Sequence, residues 1–394
     1  MNVPKLRFKE FNDEWQNYKV EEILKISNGI NKEKEFFGSG SPIINYMDVN
    51  KNELISHNIV KGLVTANSKE LETFNVKKGD ILFTRTSETS DEIGLSSSVI
   101  ENIDKCIFSG FILKGTQTKQ FIHPYFGGYY FRNPKMRKEI IKHSSITTRA
   151  LTSGSLLSQM SISIPTIIEQ GKIGKTLSLL DKKIELQTKK IEDLKLFKLY
   201  LQNKLYNAND TKDVLIKDLG EIVTGTTPSK SENKYWDNGN ILWVTPTDIC
   251  ENRDINDCSC KLTESGLAKG RFIPKNSILV TCIASIGKNA IIKEDGSCNQ
   301  QINAIIPSKD YNYNYIYYTI ENLSNYMKSI ASTSATAIIN KEQFGNISIK
   351  IHKREVQDKI SKILNAFETK IIQEGFKYKK LQNLKKGLMQ NMFV

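Results

Sequence analysis

The residues in this sequence best placed to do chemistry are polar loop residues beside glycine. Gly225-Thr226-Thr227-Pro228-Ser229-Lys230 follows a strand-like segment and precedes Lys234-Tyr235-Trp236. Ser285, Lys288 and Asn289 follow a buried apolar run, as Arg85 and Ser87 follow its counterpart in the first half of the chain. Thr147, Thr148 and Arg149 sit in a Ser/Thr/Gly loop that corresponds to the one carrying Ser334 and Thr336, and Lys32 and Lys34 come after the Asn28-Gly29 turn. Hydroxyls and lysines of this kind contact phosphates, whereas Arg, Asn, Gln and Thr read base edges. Any one of them is equally at home in an ordinary solvated loop. Their recurrence in two halves of the chain is what favours a nucleic-acid role for the group.

Catalytic constellations are missing from the pattern. No Gly-rich loop follows a strand as an S-adenosylmethionine or dinucleotide site requires. No Asn-Pro-Pro-aromatic or Asp-Pro-Pro-aromatic tetrad occurs, and Asn133-Pro134-Lys135 lacks the second proline and the aromatic. Gly174-Lys175-Thr176 resembles the end of a phosphate-binding loop, but its first glycine would fall at Glu169 and the stretch has helical periodicity. The four histidines, His57, His123, His143 and His352, have no metal-site or triad spacing. The six cysteines include only one close pair, Cys258 and Cys260, too tight for a zinc knuckle, so reduced structural thiols are expected.

The 394 residues exceed one ordinary core, so two or more domains are expected. The 56 basic and 43 acidic residues give a net charge of +13, which points to nucleic acid or an anionic surface as partner. No apolar run approaches the roughly 18 residues that span a bilayer. Residues 1–15 carry no signal-peptide core, so a cytoplasmic protein without membrane contact is expected.

Two long helices must position the loops. Ile173, Leu177, Leu180, Ile184, Ile191, Leu194, Leu201 and Leu205 are spaced by alternating steps of four and three, with polar fillers at Gln187 and Lys198. That is a heptad seam. It returns 187 residues later as Ile360, Leu364, Phe367, Ile371, Tyr378, Leu381, Leu388 and Met392, with the fillers now Glu374 and Lys385. A shared seam with shared interruptions marks an internal duplication. Thr166 and Glu169 have capping-box spacing at the start of the first helix. Gly171 and Gly174 each cost the helix about 1 kcal/mol, which packing must offset.

The globular segments repeat in step. Residues 42–49 read as a strand, as do 243–249; residues 76–84 and 273–281 read as a turn and a buried strand; 106–113 reads as a further strand. The expected fold is α/β in the α+β sense: a mixed unit over 1–166, a helix over 167–207, a second mixed unit over 208–353 and a helix over 354–394. Antiparallel pairing of the helices about a pseudo-two-fold places the units at opposite ends of a bar. A helix of about 40 residues is roughly 60 Å long, against about 34–36 Å for a turn of DNA. Gln187 and Glu374 are expected to form a polar layer near the two-fold that fixes register.

With these features together, the chain resembles the specificity subunit of a type I restriction–modification system. The resemblance covers the whole chain. It rests on the architecture and on Gly225-Thr226-Thr227-Pro228, the segment from Trp243 to Asp248-Ile249, and Ile164-Pro165 followed by Glu169-Gln170 and Ile173. The second helix keeps Gln357 and Ile360 but has Val356 in place of Glu169 and lacks the proline. The resemblance implies two target recognition domains, each reading half of a split sequence in double-stranded DNA. It implies helices that space the domains and hold two methyltransferase subunits, and a restriction/translocase subunit beyond them. The chain itself would be non-catalytic, with S-adenosylmethionine, ATP and Mg2+ used by the partner subunits, in a bacterial cytoplasm at the nucleoid. Two other readings are a coiled-coil protein scaffold, marked by failure to bind DNA, and a single-chain methyltransferase or nuclease, marked by activity of the chain alone.

Overall fold

The computed structural model describes residues 3–146, 148–206, 210–249, 253–331 and 337–394. The chain forms two compact units, one of residues 1–189 with 376–394 and one of residues 190–375. The division falls inside both long helices. Each unit therefore contains a segment of each long helix.

The first unit is built on a five-stranded sheet. Its strands in chain order are Leu24–Asn28, Leu54–Ile55, Ile81–Thr84, Ser96–Val99 and Ile112–Gln117, arranged across the sheet as first, fifth, third, fourth, second. The second unit has Gly220–Thr224, Asp254–Ile255, Ile278–Thr281, Asn289–Ile292 and Ile302–Pro307 in the same spatial order. Each unit adds a three-stranded sheet whose central strand, Phe37–Ile44 or Ile241–Val244, pairs antiparallel on one side and parallel on the other. Ile81, Phe83, Phe126, Tyr129 and Tyr130 lie in the first core; Ile278, Val280, Tyr315, Tyr318 and Phe344 lie in the second.

The strands expected over 42–49 and 243–249 stop early, at Ile44 and Val244. Their second halves turn because side chains capture backbone donors. Asp48 accepts the Asn45 amide at 2.8 Å and opens the helix Tyr46–Lys51. Asp248 accepts the Thr245 amide at 2.8 Å, beside Pro246. Apolar content alone does not register this competition between side chain and sheet. The strand expected over 106–113 likewise divides into Ile107–Phe108 and Ile112–Gln117 around a turn at Gly110.

The long helices are Ile167–Tyr206, with 40 residues, and Arg354–Asn391, with 38. Every seam position named above is buried or half-buried. In each unit the helix segments run in opposite directions. Asp181 meets Lys385 at 2.6 Å in the first unit, and Glu368 meets Lys198 at 2.6 Å in the second. These two ion pairs are related by the 187-residue repeat. Each lysine also takes a carboxylate from its globular part: Lys385 from Glu53 at 2.9 Å, Lys198 from Glu321 at 3.4 Å. The polar interruptions of the seam thus tie helix to helix and helix to domain. Glu374 is fully buried and meets Lys190 at 3.2 Å and Lys370 at 3.3 Å; Gln187 is half-buried.

The helix starts repeat as well. Gln170 accepts the His123 amide at 2.9 Å and donates to the Pro165 carbonyl at 2.9 Å. Gln357, 187 residues on, accepts the Asn312 amide and donates to the His352 carbonyl, each at 2.9 Å. Each glutamine therefore joins the start of a long helix to the start of the aromatic-rich helix it packs on, Pro124–Tyr130 or Tyr313–Asn322. The expected capping box is only half made. The Glu169 amide reaches the Thr166 hydroxyl at 3.5 Å, but its carboxylate is held by two bonds from Arg7, both 2.8 Å. A guanidinium presented bidentately outcompetes a single backbone amide for a carboxylate.

Candidate nucleic-acid interface

In both units the chain brings its polar loops to one end of the five-stranded sheet. Asn28 pairs with Leu113 and Thr84 with Ile112, so the first strand ends, the third strand ends and the fifth strand begins together. Thr224 opposite Asn303 and Thr281 opposite Ile302 repeat the arrangement. The loop after the third strand is fastened from below by a buried threonine. Thr84 donates to the Glu92 carbonyl at 2.9 Å and accepts the Leu95 amide at 2.9 Å. Thr281 donates to the Ser285 carbonyl at 2.5 Å and accepts the Lys288 amide at 3.1 Å.

The loop after the first strand crosses the turn before the fifth. A side chain at Gly29 would meet the Ser109 carbonyl oxygen at 2.1 Å, and one at Gly225 would meet that of Asn299 at 2.2 Å. Only glycine permits this crossing. A fourth segment arrives from later in the chain. The Thr152 amide donates to the Arg85 carbonyl at 3.0 Å, and the Ile339 amide to the Cys282 carbonyl at 2.9 Å. Four loops per unit therefore converge from distant parts of the sequence.

The candidate residues divide by what they touch. Arg85 lies at the edge of this surface, and Thr148 and Arg149 are exposed on it, next to the Ala150–Leu151 strand that pairs with Thr86–Ser87. Lys34, Ser229, Lys230 and Lys288 are exposed and Ser285 is half-exposed. Thr227 donates to the Gln300 side chain at 2.5 Å, and Ser229 and Ser231 share a hydrogen bond at 2.8 Å. Other candidates face inward. Ser87 is only 6% exposed and accepts the Thr89 amide, so it shapes its loop. Asn289 donates to the Tyr317 carbonyl at 2.8 Å, and the Thr226 hydroxyl is buried while its carbonyl accepts the Trp243 indole at 3.0 Å. Lys32 is committed to Glu70 at 2.7 Å and Lys234 to Glu232 at 3.2 Å, which raises the Lys234 pKa through that hydrogen bond. Thr147, Ser334 and Thr336 lie outside the described residues.

Sequence reasoning missed Phe111 and Arg271. Phe111 stands exposed at the turn before the fifth strand. Arg271 donates to the Thr224 carbonyl at 2.9 Å, at the end of the first strand of the second unit. A lone aromatic inside an apolar run reads as core, and only the turn at Gly110 turns it outward.

Among the described residues, the histidines are not gathered into a shared site. The histidines are engaged singly: His352 with the Tyr315 hydroxyl at 2.7 Å, His57 with Glu101 at 2.5 Å, His143 with the Glu139 carbonyl at 2.9 Å. Among the described residues, no three His, Cys, Asp or Glu side chains cluster as metal ligands. Burial pushes the thiols of Cys106 and Cys298 up to about 12 and that of Cys282 to about 11, leaving them inert packing groups. Cys250 lies outside the described residues. No helix among those described is long and apolar enough to cross a membrane.

Two stretches of the chain, residues 12–196 and 209–383, each match the family described as type I restriction modification DNA specificity domain. The chain belongs to that family. It is 31% identical over 185 residues to the MjaIX specificity subunit of Methanocaldococcus jannaschii, covering 45% of this chain and 43% of the relative. It is 32% identical over 165 residues to the EcoR124I/EcoR124II specificity subunit of Escherichia coli, covering 39% and 40%. These alignments span about two-fifths of each relative's length. The fold is shared with the type I restriction–modification S subunit from M. genitalium at a TM-score of 0.64 and 15% identity, over 100% of this chain and 99% of that one. A chain from a structure of type I R-M complex assembly and conformational transition matches at 0.62 and 13%, over 95% and 96%.

Proposed function

We propose that this chain is the DNA-reading subunit of a type I restriction–modification complex, with each unit reading one half of a split target. The observation that carries this reading is the double family match, falling on two units that repeat the same sheet and gather the same loops at the same end of it. The contacts are assigned to Arg85, Thr148 and Arg149 in the first unit and to Ser229, Lys230, Ser285 and Lys288 in the second. The long helices set the spacing of the half-sites and seat two methyltransferase subunits, which a restriction/translocase subunit joins. This chain contributes no catalytic group. S-adenosylmethionine, ATP and Mg2+ serve the partner subunits, in a bacterial cytoplasm at the nucleoid.

Phosphate contacts make affinity depend on salt, because each neutralised phosphate releases condensed counterions. With the four cations Arg85, Arg149, Lys230 and Lys288 each neutralising a phosphate, binding to the target duplex is expected to fall roughly a hundredfold between 50 and 200 mM salt. Fluorescence anisotropy of a labelled duplex, with modification subunits present, measures this. A flat salt response, or methylation of DNA by the purified chain alone, would overturn the proposal.

A further inference from the structure

The turn that opens the fifth strand is held by the same three kinds of hydrogen bond in the two units but carries different side chains. In the first unit, the Ser109 hydroxyl accepts the Phe111 amide at 3.3 Å and the Ser109 carbonyl accepts the Ile112 amide at 3.0 Å. The Phe111 carbonyl takes the Arg85 amide at 2.9 Å, and the Gly110 amide donates to the Ile30 carbonyl at 2.7 Å. In the second unit, the Asn299 side-chain oxygen accepts the Gln301 amide at 3.0 Å and its carbonyl accepts the Ile302 amide at 3.2 Å. The Gln301 carbonyl takes the Cys282 amide at 2.9 Å. Phe111 and Gln301 hold equivalent places, and the main chain beneath both is fixed.

Phe111 is 61% exposed, more than any other large apolar side chain described in its unit outside the long helices. An aromatic ring on a turn held by three main-chain bonds and the Ser109 hydroxyl loses little entropy on contact. It borders a recess of about 480 Å3 shared with Arg149, Thr86, Tyr46, Glu88 and Glu92. A groove for phosphates alone would not carry two carboxylates. A wall offering a guanidinium, hydroxyls, carboxylates and an aromatic face presents donors, acceptors and apolar contact, the mixture that base edges demand. At the equivalent place in the second unit stand Gln301 and the exposed Gln300, whose side-chain oxygen is oriented by the Thr227 hydroxyl. A carboxamide pairs with the N6 and N7 edge of adenine, whereas an aromatic ring contacts a thymine methyl or a base face.

We propose that this turn is the specificity-determining position of each unit, with Phe111 reading a base by apolar contact in one half-site and Gln300–Gln301 reading an adenine in the other. The proposal rests on the DNA-reading function above. Its test is selection from a randomised duplex library by the full chain with its modification subunits. Wild type is expected to recover a bipartite consensus. Phe111→Ala should lose at least tenfold of the preference at one position in one half and leave the other half intact. The Gln300→Ala/Gln301→Ala pair should do the converse. Phe111→Tyr should retain the wild-type consensus, and all variants should melt within a few degrees of wild type, because Phe111 and Gln300 are exposed and the half-buried Gln301 accepts only a 3.2 Å bond from the Asn299 side chain. Preferences unchanged within twofold would overturn the proposal. So would loss in both halves at once, or loss of subunit co-purification with the consensus intact, which would make Phe111 a protein contact. A wild-type chain that selects no sequence would instead sink the DNA-reading function itself.

Discussion

Gly174→Ala is expected to lower the melting temperature of the protein sharply, while Gly387→Ala raises it. Both glycines lie inside the long helices, where alanine is the better helix former by about 1 kcal/mol. Their surroundings reverse the outcome. A side chain at Gly174 would meet the Phe126 amide nitrogen and the Tyr125 carbonyl carbon, each at 2.5 Å. Those are backbone atoms of a buried helix that cannot swing aside. The long helix would have to lift from the core that holds Ile173, Leu177, Phe126 and Tyr129. Overpacking of this kind costs about 3 kcal/mol, or roughly 6–12 °C in a unit of this size. At Gly387 nothing lies within 4 Å, so alanine adds only helix propensity and should stabilise by about 1 kcal/mol. Differential scanning calorimetry of the two variants compares them directly. Equal shifts of the same sign would mean that the helix does not seat on Tyr125–Phe126 as described.

The second large effect concerns modularity. Replacing one compact unit with that of a relative should change one half of the recognised sequence and preserve the other. Each unit has its own core cluster, so a graft carries that core with it. The boundary matters, because Glu169, Asp181 and Lys385 on the helices are bound by Arg7, Tyr129 and Glu53 of the first globular part. A graft of residues 1–166 must bring partners for those three groups, or else carry 167–189 and 376–394 with it. Each mismatched base pair costs a reader about 1–3 kcal/mol, so a changed half-site of three base pairs should shift preference by roughly a hundredfold or more. Change in both halves together would contradict the assignment of one reader to each unit.

The duplication, the two helices and their registration were legible because heptad spacing leaves a periodic trace. The observed helix starts, Ile167 and Arg354, keep the 187-residue offset of the seam. The apolar strands near Ile81 and Ile278 were legible for the same reason. What escaped depends on contacts between residues far apart in sequence. The Glu169 carboxylate serves Arg7, 162 residues away, rather than its own helix start. Asn289 and Ser87 read as surface loop residues, yet the helix behind one and the strand pairing of the other turn them inward. Phe111 reads as core by composition and is exposed by a turn that a neighbouring glycine permits. Strand ends at Ile44 and Val244 were missed because Asp48 and Asp248 compete locally with the sheet for backbone donors. Burial works against the Asp248 carboxyl, but hydrogen bonds from Thr245 and Ser259 hold its pKa below the ordinary value, so it stays charged to do this.

Sequencing of methylated bases across the genome of the host, with and without this gene, tests the central claim most directly. The account predicts one bipartite motif, two short specific halves separated by a fixed run of unspecified bases, whose methylation disappears with the gene. An unchanged methylation pattern, or loss of a single contiguous motif, would contradict it.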